Sequence, residues 1–129
     1  MTGWTSEELS RVGGADELVI VSVRRDGTLT KPVTIWVARH DDGLYVRSAV
    51  KGRGAAWFRG TQQTHQGRIR AGGIEKEVAF EDADHSVDVA IDAAFEAKYR
   101  RYGPRYARPM LTPEARSTTI RLVPRRTRS

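Results

Sequence analysis

Apolar and polar residues alternate along most of this chain, and turn residues close each run of alternation. Leu18 to Arg25 is rich in β-branched residues and ends at Asp26-Gly27, a strong hairpin signal. Between Pro32 and Arg39, Val33, Ile35 and Val37 fall on one face, and Thr34, Trp36 and Ala38 on the other. Asp41-Asp42-Gly43 then turns the chain into Leu44–Ser48, where Leu44 and Val46 face one way and Tyr45 and Arg47 the other. These turns predict three consecutive antiparallel strands. Alternation returns in Gly67–Ala71, with Ile69 between Arg68 and Arg70. It continues beyond Gly72-Gly73 in Glu75–Glu81, with Val78 and Phe80 inward. Residues 117–123, with Ile120 and Leu122, make a sixth strand.

Helical spacing occurs in two places. Thr5 and Glu8 form a capping box that opens a short helix from Ser6 to about Val12. A longer helix runs from Asp84 or Ser86 to Tyr102, with Val87, Ile91, Ala94, Phe95, Tyr99 and Tyr102 on one face. Gly103-Pro104 stops it. Residues 49–60 break the strand pattern, with Gly52, Gly54 and Gly60 around a single helical turn at Ala55–Arg59. The expected fold is mainly β, a six-stranded antiparallel barrel with helices packed outside. An open antiparallel sheet with a helix on one face is the alternative. The globular domain spans 1–123, and 124–129 read as a basic tail.

With 129 residues the chain is the size of one domain, and no cysteine is present, which excludes disulfides and thiol chemistry. No run approaches the ~20 apolar residues of a membrane helix, and no signal-peptide pattern precedes the first helix, so a cytoplasmic location is expected. The net charge of +6 conceals strong segregation. Residues 43–74 hold six basic residues and no acid; 75–96 hold eight acids against Lys76; 97–129 hold ten basic residues against Glu114. Acids at the start of the long helix and cations at its end match the helix dipole, which accounts for part of the switch.

His40, His65 and His85 have no metal-ligand spacing, so no metal is expected, and no serine sits in a nucleophile elbow. The informative stretch is Tyr45–Ala71. It joins Arg47-Ser48 to a glycine turn with Lys51 and Arg53, then to Trp57-Phe58-Arg59. Glycine lets backbone approach an anion closely, and Lys and Arg supply charge-assisted donors for a phosphate. Trp57 is suited to pack on a planar ring or to plug the barrel end. The competing reading is a solvated basic loop, or cations paired in space with the acidic 75–96 segment.

Trp36, Leu44–Ser48, Trp57-Phe58-Arg59, Gly67–Gly73 and the Lys98-Tyr99…Tyr102-Gly103 helix end resemble a small bacterial family known only as domain of unknown function 2255. More distantly, the chain is similar to flavin-binding split barrels, the fold of pyridoxamine-phosphate oxidases and deazaflavin-dependent nitroreductases. In those nitroreductases a strand leads into a Ser, a Gly/Lys-rich turn and then Trp-Tyr; here Ser48, Lys51, Gly52 and Trp57-Phe58 take comparable places. That resemblance implies that Ser48, Lys51 and Arg53 meet a cofactor phosphate, and that Thr34 and Trp36 lie beside an isoalloxazine or deazaflavin ring. It also implies a homodimer and a flavin- or deazaflavin-dependent oxidoreductase acting on a small molecule, with FMN or a deazaflavin as cofactor. Tyr45 and His65 are the proton donors considered, and no catalytic residue is assigned. The alternatives are a non-catalytic anion- or partner-binding module on the same barrel and, third, a nucleic-acid binder through the two basic blocks.

Overall fold

The structure, a computed structural model, describes residues 3–49 and 51–125. The capping box forms at the start of helix α1 (Ser6–Gly14). Glu8 donates its amide to the Thr5 hydroxyl (3.1 Å), and Glu8 Oε1 accepts the Thr5 amide (2.9 Å). Leu9 and Val12 of this helix are buried. Lys76 Nζ reaches Glu8 Oε2 at 2.9 Å. The Thr5 amide and then Lys76 hold the Glu8 carboxyl below its ordinary pKa.

Seven strands form one antiparallel sheet: β1 (Leu18–Ser22), β2 (Val33–Ile35), β3 (Ala38–His40), β4 (Gly43–Val46), β5 (Gln66–Ala71), β6 (Ile74–Asp82) and β7 (Ile120–Pro124). Their spatial order is β2-β1-β5-β6-β7-β4-β3. The two edge strands, β2 and β3, are consecutive in sequence and separated only by Trp36 and Val37. Ile35 and Ala38 are three residues apart, a reach of at most roughly 11 Å, so the sheet must curl until its edges come close. The expected barrel is present.

The expected single strand over 32–39 is corrected to two. Side-chain alternation continues through the break, but the backbone of Val37 leaves the ladder and is satisfied from outside it. The Val37 amide donates to the Tyr99 hydroxyl (3.1 Å), and its carbonyl accepts from Lys98 Nζ (2.7 Å). The Tyr99 hydroxyl in turn lies 2.8 Å from the Asp16 carbonyl and 3.1 Å from that of Val37. β2 can therefore stay with β1, and β3 with β4.

Two cores result. Inside the barrel, Leu18, Ile20, Val37, Leu44, Val46, Ile69, Val78, Phe80, Ile120 and Leu122 pack with Phe58. Outside it, Ala38 and Tyr45 from β3 and β4 meet Ile91, Phe95 and Tyr99 of helix α3 (Asp88–Tyr99). Short 3-10 turns extend α3 at both ends, His85–Val87 and Arg100–Tyr102, so the expected long helix is present with tightened termini. Within β5, Gly67 leaves room for a neighbour: a Cβ there would lie 2.1 Å from the Val21 carbonyl and 2.7 Å from the Phe80 ring.

Three further expectations change. The single turn at Ala55–Arg59 is the nine-residue helix α2 (Ala56–Thr64), which passes through Gly60 and ends at His65 in the left-handed conformation. Gly60 lies inside this helix and is buried against Ser22 and Thr30, each 3.5 Å from a Cβ placed there, an ordinary contact distance. The irregular stretch after Gly103 forms α4 (Pro104–Ala107), a 3-10 turn Arg108–Leu111 and α5 (Pro113–Arg116). β7 begins at Ile120 rather than 117, because Ser117, Thr118 and Thr119 give their hydroxyls to the carbonyls of Glu114, Ala115 and Arg116. Of the basic tail, Pro124 closes β7 and the Arg125 amide bonds Glu77, while 126–129 lie outside the described residues. Among the described residues no helix is long and apolar enough to cross a membrane.

The supports at Val37 carry a pH signature. Burial pulls the Lys98 amine from 10.5 down to about 8 and pushes the Tyr99 phenol from 10.0 up to about 12. Between about pH 8 and 10.5 the unfolded chain binds more protons at Lys98 than the folded one, so stability rises with pH there. Between about pH 10 and 12 the folded chain retains the Tyr99 proton and stability falls again. Urea midpoints across this range are expected to lose the first rise in Lys98→Met. Tyr99→Phe, which orphans the Val37 amide, is expected to destabilise by about 1–3 kcal/mol.

Candidate functional site

The six cations of the acid-free block separate into distinct fates. Arg47, on the outer face of β4's extension, is completely buried. Its guanidinium pairs with Asp92 of α3 and donates to Thr119 Oγ1 (2.8 Å) and the Met110 carbonyl (2.9 Å). Asp88 lies 3.9 Å from its second nitrogen, and the Phe95 ring lies beneath it at 5.7 Å. Asp92 is shared with Arg116 of α5. Arg68 and Arg70 stand directly across the ladder from Glu77 and Glu75. For Arg47 the pairing reading holds, with partners drawn from the acidic segment, whereas Arg68 and Arg70 face acids across the ladder without forming an ion pair among the described residues. Lys51, Arg53 and Arg59 form no ion pair among the described residues.

Those three surround the 3-10 turn Gly52–Gly54 and the start of α2. Lys51, Arg53 and Arg59 are exposed. Arg53 donates to the Ser117 carbonyl (3.0 Å) and lies over the Phe58 ring at 5.3 Å. Gly52 has φ +51, and a Cβ there would come within 2.4–2.5 Å of the Glu114 side chain.

Next to this turn a cleft of about 450 Å³ opens on the outside of the barrel. One wall is Thr34, Ile35 and Trp36, the end of β2 and the start of the break; Arg47, Ala49 and Trp57 form another. The third comes from Arg105, Tyr106, Pro109 and Met110. Trp36 is fixed by parallel stacking on Tyr99, with centroids 3.9 Å apart and planes 1° apart. Trp57 meets Phe58 edge to face at 6.2 Å.

Of the seven residues expected at a cofactor site, Thr34, Trp36 and Trp57 line this cleft together. Lys51, Gly52 and Arg53 occupy the adjoining turn. Ser48 is 1% exposed and gives its amide to Thr118 Oγ1 (2.8 Å), so it lies beneath the turn rather than at its surface. Tyr45 is buried against α3, and His65 caps α2 with Nδ1 beside the Phe80 carbonyl (3.2 Å); neither lines the cleft. Sequence reasoning missed Arg105, Tyr106, Pro109 and Met110, which come from a stretch without periodicity. The available signal was Gly103-Pro104, which ends one helix and starts another. No three His, Asp or Glu side chains converge as a metal site needs, among the described residues.

Solved structures share this architecture. The haem storage protein HutZ of Vibrio cholerae aligns with a TM-score of 0.61 at 11% identity, over 88% of this chain and 84% of that one. An F420 reductase aligns at 0.58 with 18% identity over 93% of both chains. An FAD-binding protein of Mesorhizobium loti aligns at 0.57 with 12% identity, over 95% of this chain and 91% of that one. At such identities the likeness defines the fold, which is the split β-barrel of flavin-binding proteins. The chain belongs to DUF2255, a family of uncharacterised proteins conserved in bacteria, whose profile matches residues 8–122. No curated protein matches it in sequence.

The buried Arg47 is the strongest single dependence at the cleft wall. Asp92→Ala leaves its guanidinium short of its main counter-charge and is expected to destabilise by about 3–5 kcal/mol in chemical denaturation. Replacing both partners with apolar residues, as in Arg47→Met with Asp92→Leu, is expected to recover most of that loss.

Proposed function

We propose that the protein binds FMN or a deazaflavin in the cleft beside β2 and serves as an oxidoreductase for a small-molecule substrate. The observation that carries this reading is the make-up of the cleft. Trp36, Trp57 and Tyr106 present aromatic surface, Arg105 supplies positive charge, and no carboxylate lines it. Its volume falls within the roughly 300–1,000 Å³ of small-molecule sites. Flat aromatic walls suit a planar tricyclic ring. The neighbouring turn, with Lys51 and Arg53 around a glycine at positive φ, suits the phosphate that such a ring carries. The names of the F420 reductase and the FAD-binding protein support a flavin-type ligand on this fold.

Bound there, the cofactor supplies hydride or electron transfer, and the protein supplies position. Trp36, held by Tyr99, forms a wall that does not need to reorganise. Thr34, exposed at the cleft wall, would offer its hydroxyl to the ring. Pro109 and Met110 would present apolar surface to it. The absence of a carboxylate or imidazole from the lining favours one further reading, a binding module without turnover. We read the active form as a homodimer in the cytoplasm, the first point being testable by mass in solution.

Titration of the purified protein with FMN and with a deazaflavin at low salt is expected to show binding of at least one. Lys51→Ala is expected to weaken it about tenfold, the loss of one charge-assisted phosphate contact. Binding of neither cofactor overturns the reading. Oxidation of a reduced cofactor by added electron acceptors separates the enzyme from the non-catalytic module.

A further inference from the structure

Glu114 is the one acidic residue in 97–129, where ten basic residues surround it in sequence. The fold delivers its side chain to the glycine turn at Gly52. A Cβ at Gly52 would lie 2.4 Å from Glu114 Cγ and 2.5 Å from both Cδ and Oε1, so the carboxylate arm fills the space above that glycine. The placement is enforced from both sides. Thr112 caps α5 by accepting the Ala115 amide (3.1 Å), Ser117 returns its hydroxyl to the Glu114 carbonyl (2.6 Å), and Arg53 holds the Ser117 carbonyl (3.0 Å). Gly52 is buried under this arm, yet Glu114 itself is exposed and accepts no hydrogen bond from the turn among the described residues.

We propose that Glu114 is a specificity-determining residue of the turn, an internal carboxylate that competes with ligand phosphate for the space over Gly52. This rests on the reading of Lys51–Arg53 as a phosphate anchor. A phosphate approaching the Cα of Gly52 must displace the Glu114 arm and then tolerate its charge nearby. The displacement is feasible because the side chain is exposed and held by packing alone. The consequence is selection: only ligands with enough additional contact in the cleft hold a phosphate at the turn, and free phosphate is rejected. Glu114→Gln keeps the shape and removes the repulsion.

The test uses the full chain and inorganic phosphate at fixed ionic strength, followed by amide chemical shifts of residues 51–55. Glu114→Gln is expected to bind phosphate about fivefold tighter than the natural protein, the effect of removing one charge at close range in water. Adding Lys51→Ala is expected to abolish the gain. Equal phosphate affinity in Glu114→Gln and the natural protein overturns the proposal, as does a gain that persists without Lys51. Parallel titrations with FMN and riboflavin separate this from the cofactor reading. Here Glu114→Gln tightens FMN and leaves riboflavin, which lacks the phosphate, unchanged. If neither flavin nor a deazaflavin binds any variant while the phosphate gain stands, the cofactor reading fails and the role of Glu114 survives.

Discussion

The barrel depends on how the backbone of Val37 is satisfied. A strand that ran unbroken from 33 to 40 would lie flat on one neighbour. Here it serves β1 with its first half and β4 with its second, and the change of partner strands Val37's amide and carbonyl in the interior. Buried peptide groups without partners are expensive, so the break persists only because Tyr99 and Lys98 supply replacements. Both come from the last turn of α3. The helix is thus the latch of the barrel as well as its outer layer. The same Tyr99 ring stacks on Trp36, so closure of the barrel and rigidity of one cleft wall have a common source.

The charge pattern follows from the same architecture. The acidic segment spans β6, which pairs with β5, and the start of α3, which packs on β3 and β4. β6 sets Glu75 and Glu77 across from Arg70 and Arg68, while α3 sends Asp92 and Asp88 to Arg47. Within 43–74, the cations that neither form an ion pair nor stand across the ladder from an acid are Lys51, Arg53 and Arg59, at the turn and the first residues of α2. A bulk charge of +6 would suit a polyanion-binding surface. Its distribution in the folded chain instead leaves a local excess beside an aromatic cleft.

The strands were legible because a period of two survives every local irregularity, and each inward residue read from the alternation is in the barrel core. The break at Val37 was not legible for the same reason. Val33, Ile35 and Val37 keep one face, and Trp36 and Ala38 the other, straight through it. Its cause lies in side chains more than sixty residues away. Arg47 was placed on the correct face, but a polar residue in alternation reads as solvated, and only the tertiary position of α3 makes it buried. Gly60 misled because a glycine reads as a helix stop, whereas here it sits buried within α2. The third wall of the cleft has no periodic signal at all, and Arg105 and Tyr106 enter the site only through the turn of the chain at Gly103-Pro104.

Ser48 shows how the site is built in depth. It lies too deep to touch a ligand, yet it is one of four successive links between the segment 47–53 and the segment 114–119. Arg47 bonds Thr119, Ser48 bonds Thr118, Gly52 receives the Glu114 arm, and Arg53 bonds Ser117. The first two links run in antiparallel order and the last two tie the turn to α5 and its end, joining the segments between the end of β4 and the start of β7. These two strands are themselves paired, so the first two links continue a ladder with side chains after the backbone pairing has ended. The geometry of the turn is therefore inherited from the sheet, and the position of Lys51 relative to the cleft is set by residues that never face it. A serine at 48 suits that role because its small side chain fits where the chain is buried, while its amide finds a hydroxyl in place of the lost ladder.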